Sequence, residues 1–130
     1  MKWALVTGGA QRLGRAVALN LARHGWGVAV HFRHSADEAK GVAAEARKLT
    51  GHAVIVGADL DDAAERHALI GEATHASGAH LSALVNCAAM FEHDTIDTLS
   101  EELLQRHIAL NTFTPSLLAR EFAEALPDEA

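Results

Sequence analysis

Four short apolar runs recur along the chain, at residues 3–6 (WALV), 27–32 (GVAVHF), 53–57 (AVIVG) and 81–85 (LSALV), and stretches of helical spacing lie between them. Strands buried on both faces read as near-continuous apolar runs, and their alternation with helices favours a parallel sheet covered on both sides. The expected helices are residues 13–23, a segment from Ser35 to about Leu49, residues 63–76, and a long one from Ser100 to about Leu126. Ser35 and Glu38 have capping-box spacing for the second helix, and Asp59 to Asp62 form an acidic turn. The economical solution is an α/β, doubly wound, Rossmann-like parallel sheet with ligands near the carboxyl ends of the strands. A helical bundle would account for the helices but would leave the Val-rich runs and the first glycine turn without a reason.

Composition narrows the partners. The 130 residues suit one domain, 1–130, and 49% are hydrophobic, enough for a core. A formal charge of −6 gives no long-range attraction for nucleic acid or an anionic membrane surface. No apolar segment is long enough to span a bilayer, and the start MKWALVTG lacks the apolar stretch of a signal peptide, so the cytoplasm is the expected location. Cys87 is the only cysteine, which excludes an intrachain disulfide or a cysteine metal cluster. The nine histidines show no metal-ligand spacing, and no metal is expected.

The turn after the first run carries the chemistry. Gly8 and Gly9 follow the strand directly and Gly14 falls in the first turn of the next helix. Bare backbone can approach a ligand there while the helix N-terminus offers N–H groups to pyrophosphate. The spacing is neither G-x-G-x-x-G nor a Walker loop, so nucleotide hydrolysis is unsupported. Arg12 places a guanidinium inside the turn, where its donor fork can meet phosphate oxygens. At the tip of the second run an NAD site normally has an acidic residue for the ribose diol. This chain instead has Arg33, His34 and Ser35. Arg33 can neutralise a 2′-phosphate, Ser35 either donates to it or caps the helix, and His34 reads as an exposed polar residue. The expected cofactor is therefore NADP(H).

With these residues in place, the chain resembles the short-chain dehydrogenase/reductase family, and within it the NADPH-dependent pteridine reductase-like branch. That family's Thr-Gly-x-x-x-Gly-x-Gly motif is represented by Thr7, Gly8, Arg12 and Gly14, with arginine in place of the middle glycine, as in that branch. The resemblance implies a strand order of 3-2-1-4 and a cofactor role for Leu13 beside these residues. It also assigns Asp59 and Leu60 to the loop around the adenine, and Asn86, Cys87, Ala88 and Ala89 to the motif usually written Asn-Asn-Ala-Gly. Asn111 resembles the helix asparagine that helps hold a water and the active-site lysine. Independently, Pro115 has no N–H for the Asn111 carbonyl, so a kink would free that carbonyl for a polar relay. A bent surface helix with a solvated Asn111 is the plainer alternative.

The family uses a Tyr as acid or base and a Lys four residues later. The chain has no Tyr, and its last lysine is Lys48. The resemblance therefore implies the N-terminal, cofactor-binding half of an oxidoreductase acting on a small carbonyl, imine or pteridine, inactive alone. A non-catalytic nucleotide-binding module or inactive truncated fragment is the alternative. Cys87 reads as a packing residue rather than a nucleophile, and Glu92, His93 and Asp94 as a polar loop rim. The apolar positions Leu103, Leu104, Leu117, Leu118 and Phe122 suggest a homodimer or higher homo-oligomer formed through the final helix.

Overall fold

The computed structural model describes residues 1–90 and 92–129. Four parallel strands, β1 (Trp3–Thr7), β2 (Gly27–Phe32), β3 (Ala53–Gly57) and β4 (Ala83–Asn86), form one sheet in the order β3-β2-β1-β4. This is the expected 3-2-1-4 arrangement of an α/β Rossmann-like sheet. The helices α1 (Arg12–Arg23), α2 (Ala36–Thr50) and α3 (Ala63–Ser77) connect successive strands.

The period-2 alternation of the strands sorts the core into two layers. Val6, Val28 and Val30 pack with Ala18, Ala22, Val42 and Ala43 of α1 and α2, while Leu5 and Ala29 pack on the opposite face with Leu69 and Ala73 of α3. Alanine-rich helix faces let α1 and α2 lie close to the sheet and to each other. Leu118, from the last helix, is fully buried in the second layer. A buried leucine of this kind typically contributes about 2–5 kcal/mol relative to alanine.

Three local expectations are corrected. The fourth strand begins at Ala83, not at residue 81: Leu81 enters the core, and Ser82 N–H still donates to Trp3 O at 2.7 Å, so the run approaches the sheet before it pairs. The capping box at Ser35 does not form. Ser35 occupies the N-cap position of α2 without a side-chain capping bond, and Asp37 and Glu38 in the first turn complement the helix dipole instead. The long final helix is divided into α4 (Glu101–Ile108), a π-helical segment (Ala109–Phe113) and α5 (Thr114–Ala125). Pro115 cannot donate to the Asn111 carbonyl, and the chain absorbs that break as a wider π turn.

The same packing revises the basis for self-association. Leu118 is spent on the chain's own core and Phe122 packs against it, whereas Leu104, Ile108 and Phe113 are the large apolar side chains exposed on this helical region. Among the described residues, no helix is long and apolar enough to cross a membrane.

Candidate cofactor site

The carboxyl ends of all four strands open into one cleft of about 720 Å³. Every strand sends its following loop there: Gly8 after β1, Arg33 and His34 after β2, Asp59 and Leu60 after β3, and Cys87 and Ala88 after β4. Arg12, Leu13 and Gly14 at the start of α1 line it, as does Ser35, while Met90, Glu92 and Arg106 border the far end. Thr7, Asn86 and Asn111 are not among the lining residues.

Thr7 works from behind the wall. It is buried, and its hydroxyl oxygen accepts the N–H groups of Cys87 and Ala88, both at 3.1 Å. One side chain thereby fixes the loop beyond β4 to the tip of β1, opposite Asn86 in the register. Gly8 has φ +60, and a Cβ there would lie 2.9 Å from the Ala88 Cα. A Cβ on Gly14 would run into the Gly8 carbonyl oxygen. The glycines are thus needed so that α1 can begin directly against the turn and the turn can lie against the loop beyond β4.

Arg12 stands where the family motif has its middle glycine, and its backbone explains the correspondence. It is the one non-glycine residue with positive φ among the described residues, at 52°. The left-handed conformation costs a side-chain-bearing residue about 1–2 kcal/mol, so the guanidinium is retained at an energetic cost. Leu13 beside it is 70% exposed, an apolar side chain on the rim of the cleft. The N-cap residue of α1, Gln11, makes no side-chain capping bond.

Arg33 enters the cleft from β2, but with company that its sequence neighbourhood does not announce. Its Nε lies 3.4 Å from Asp59 Oδ1 and its Nη1 lies 3.6 Å from Asp61 Oδ2. All three side chains remain partly exposed, so these pairs are weak and exchangeable. Asp59 is held in turn, its N–H donating to Glu65 and its carboxylate accepting the Asp61 N–H.

At the other end, Asn111 clasps Met90. Its Oδ1 accepts the Met90 N–H at 2.8 Å and its Nδ2 donates to the Met90 carbonyl at 2.7 Å. One turn earlier, His107 Nε2 accepts the Glu92 N–H at 3.0 Å. The loop beyond β4 is therefore pinned to α4 and the π segment at two points. Cys87 makes a poor nucleophile here, because burial pushes its thiol pKa up.

His31, Met90 and Arg106 are among the cleft residues to which the sequence alone assigns no role. His31 had a signal, a titratable side chain inside the otherwise apolar run GVAVHF; it is 2% exposed. Arg106 and Met90 had none, since only the folding of α4 onto the loop brings them to the cleft.

A doubly wound parallel sheet with a glycine turn, an open helix N-terminus and two arginines at its switch side defines a dinucleotide-binding domain of the oxidoreductase type. The family model for short chain dehydrogenase matches residues 2–130, and the chain belongs to that family. It is 34% identical to the NADPH-dependent aldehyde reductase 2 of Arabidopsis thaliana chloroplasts, over 95% of this chain and 50% of that protein. The crystal structure of FolM alternative dihydrofolate reductase 1 from Brucella canis, complexed with NADP, superposes with a TM-score of 0.90 at 36% identity. It covers 98% of this chain and 51% of that one. A short chain dehydrogenase from Burkholderia cenocepacia in complex with NADP gives 0.89 at 31% identity, over 96% and 51% of the two chains. The FolM likeness agrees with the pteridine reductase-like branch indicated by Arg12. The chain spans about half the length of these relatives.

Proposed function

We propose that the chain is a single dinucleotide-binding domain that takes NADP(H), as the cofactor-binding part of a short-chain oxidoreductase acting on a small carbonyl, imine or pteridine. The observation that carries the reading is the pair of guanidinium groups, Arg12 and Arg33, entering a cleft whose β2 tip supplies no carboxylate of its own. Relatives crystallised with NADP support it. The fit rests on the chain's own geometry: a glycine turn with no room for a Cβ, an uncapped helix start facing the cleft, and the exposed Leu13 on its rim.

When bound in its reduced form, the cofactor would supply the hydride, and the carbonyl or imine carbon of the substrate would accept it. In this reading Arg12, Arg33 and Ser35 hold the 2′-phosphate, and the start of α1 holds the pyrophosphate. Asp59 and Leu60 border the adenine, while Asn86, Cys87 and Ala88 border the nicotinamide-side ribose, with Thr7 setting their loop. Asn111 orients the far end of the cleft through Met90. Within these residues there is no Tyr, and Lys48 lies at the end of α2. That supports a second reading, in which this chain binds nucleotide without performing proton transfer. The proposed compartment is the cytoplasm, and the proposed partner beyond the cofactor is a second copy, meeting through exposed Leu104, Ile108 and Phe113. A monomer in light scattering at high concentration would defeat that partner.

Calorimetric titration of the 130-residue chain with NADPH and with NADH tests the cofactor. Saturable binding with NADPH preferred is expected; equal binding would remove the assignment of Arg12 and Arg33 to the 2′-phosphate, and no binding would defeat the reading.

A further inference from the structure

Residue 31 takes both amide protons of the glycine pair. The Gly8 N–H donates to His31 Nδ1 at 2.9 Å, and the Gly9 N–H donates to the His31 main-chain carbonyl at 3.0 Å. Because Nδ1 accepts, the ring hydrogen sits on Nε2, which donates to the Ala58 carbonyl at 2.9 Å. The imidazole thus bridges the tips of β1 and β3 from the strand between them, with both nitrogens satisfied and the ring almost wholly buried. A phosphate approaching the turn therefore meets no available donor at Gly8 or Gly9. Uncommitted donors beyond the glycine pair include the first N–H groups of α1, which no side chain caps.

We propose that His31 is a positioning residue for the cofactor: its ring locks the Gly8 peptide with the N–H turned inward, so that pyrophosphate is received by the amides of Arg12, Leu13 and Gly14 and not by the glycine pair. The same ring also donates to the Ala58 carbonyl at the start of the loop carrying Asp59 and Leu60, a contact on which the phosphate turn does not depend. This rests on the dinucleotide reading above.

Three variants separate positioning from bulk packing. In His31→Asn the amide oxygen reaches the place of Nδ1 and can accept from Gly8, while Ala58 is abandoned. In His31→Gln the amide nitrogen reaches the place of Nε2 and serves Ala58, leaving Gly8 unpaired. His31→Phe fills the space and serves neither. Calorimetry with NADP+ is expected to show His31→Asn within about threefold of wild type, and His31→Gln and His31→Phe weakened about tenfold or more, the usual cost of an unpaired buried donor. Equal affinity across all four proteins, or equal loss in the Asn and Gln variants, overturns the proposal.

A measurement on the unaltered chain stands beside this, independent of how the variants fold. In amide NMR spectra titrated with NADP+, the resonances of Arg12, Leu13 and Gly14 are expected to move strongly while the Gly8 amide stays exchange-protected and nearly still. A dominant shift at Gly8 overturns the role of His31 but leaves the cofactor reading standing. A titration with no saturable shifts anywhere defeats the cofactor reading itself, and the role of His31 with it.

Discussion

Arg33 is paired with Asp61 of the neighbouring β3 loop, Nη1 to Oδ2 at 3.6 Å, so the guanidinium proposed to hold a 2′-phosphate already faces a carboxylate. The phosphate has to displace that carboxylate, or bind in its field. Removing the charge by Asp61→Asn is expected to raise NADPH affinity by up to about fivefold, the scale of an exposed ion pair of about 0.2–1 kcal/mol. The gain should shrink with added salt, and NADH, which has no 2′-phosphate, should gain less. Calorimetry at two ionic strengths checks this; a fall in NADPH affinity would mean that Asp61 holds Arg33 in its working position.

Arg12 offers a test in which stability and binding move oppositely. Its φ of 52° is easy for glycine and strained for other residues. Arg12→Gly removes about 1–2 kcal/mol of strain but adds about 0.5–1 kcal/mol of unfolded-chain entropy. Its urea midpoint should equal or slightly exceed that of wild type, while NADPH affinity falls about tenfold with the loss of a charge-assisted phosphate contact. Arg12→Ala keeps the strain and loses the contact, so it should bind equally poorly without the gain in stability. If Arg12→Gly is markedly less stable than wild type, the side chain serves the fold.

The elements themselves were legible because local pattern and tertiary demand coincide in them. The run 27–32 matches β2, and 53–57 matches β3, since each is apolar along most of its length and packs against both layers of the core. The fourth run was overextended because Leu81 is apolar for the core and not for the ladder, a distinction that periodicity does not encode. Pro115 announced an interruption of the last helix, but its resolution as a π segment depends on the surrounding chain. In the site, the glycines can be read from sequence because the backbone demands them locally, whereas Arg12 stands against the local backbone preference and is singled out by its charge alone. The carboxylates around Arg33 come from the next βα unit, and the clasp of Asn111 on Met90 from a loop 21 residues away. Such pairings exist only once the sheet has assembled.

Asn111→Ala should loosen the far end of the cleft without unfolding the domain. The substitution deletes two hydrogen bonds to Met90 at an exposed position, for a loss on the order of 1–2 kcal/mol. The expected signature is faster amide exchange at Met90 and its neighbours, with β1 to β3 unchanged. Asn111→Asp retains the acceptor for the Met90 N–H but not the donor for its carbonyl, and should lie between the two. Unchanged exchange at Met90 in the alanine variant would show that His107 and Thr7 suffice to hold the loop.

His31 also gives stability a defined dependence on pH. Burial lowers its pKa below the ordinary value of about 6.5, with the hydrogen bond to the Ala58 carbonyl pulling weakly the other way. On acidification the unfolded chain takes up the proton first, because its histidine keeps the higher pKa. The folded state's advantage is therefore complete above about pH 6.5 and is lost as pH falls from there toward the folded-state value. Protonation would also place a hydrogen on Nδ1 facing the Gly8 N–H, donor against donor. The chain carries eight other histidines, so the readout is the difference between wild type and His31→Asn in urea midpoint from about pH 7.5 to 5. Wild type should lose more stability over that interval. Parallel curves would mean that the imidazole takes its proton equally well in both states, and that the bridge from Gly8 to Ala58 does not hold the ring neutral.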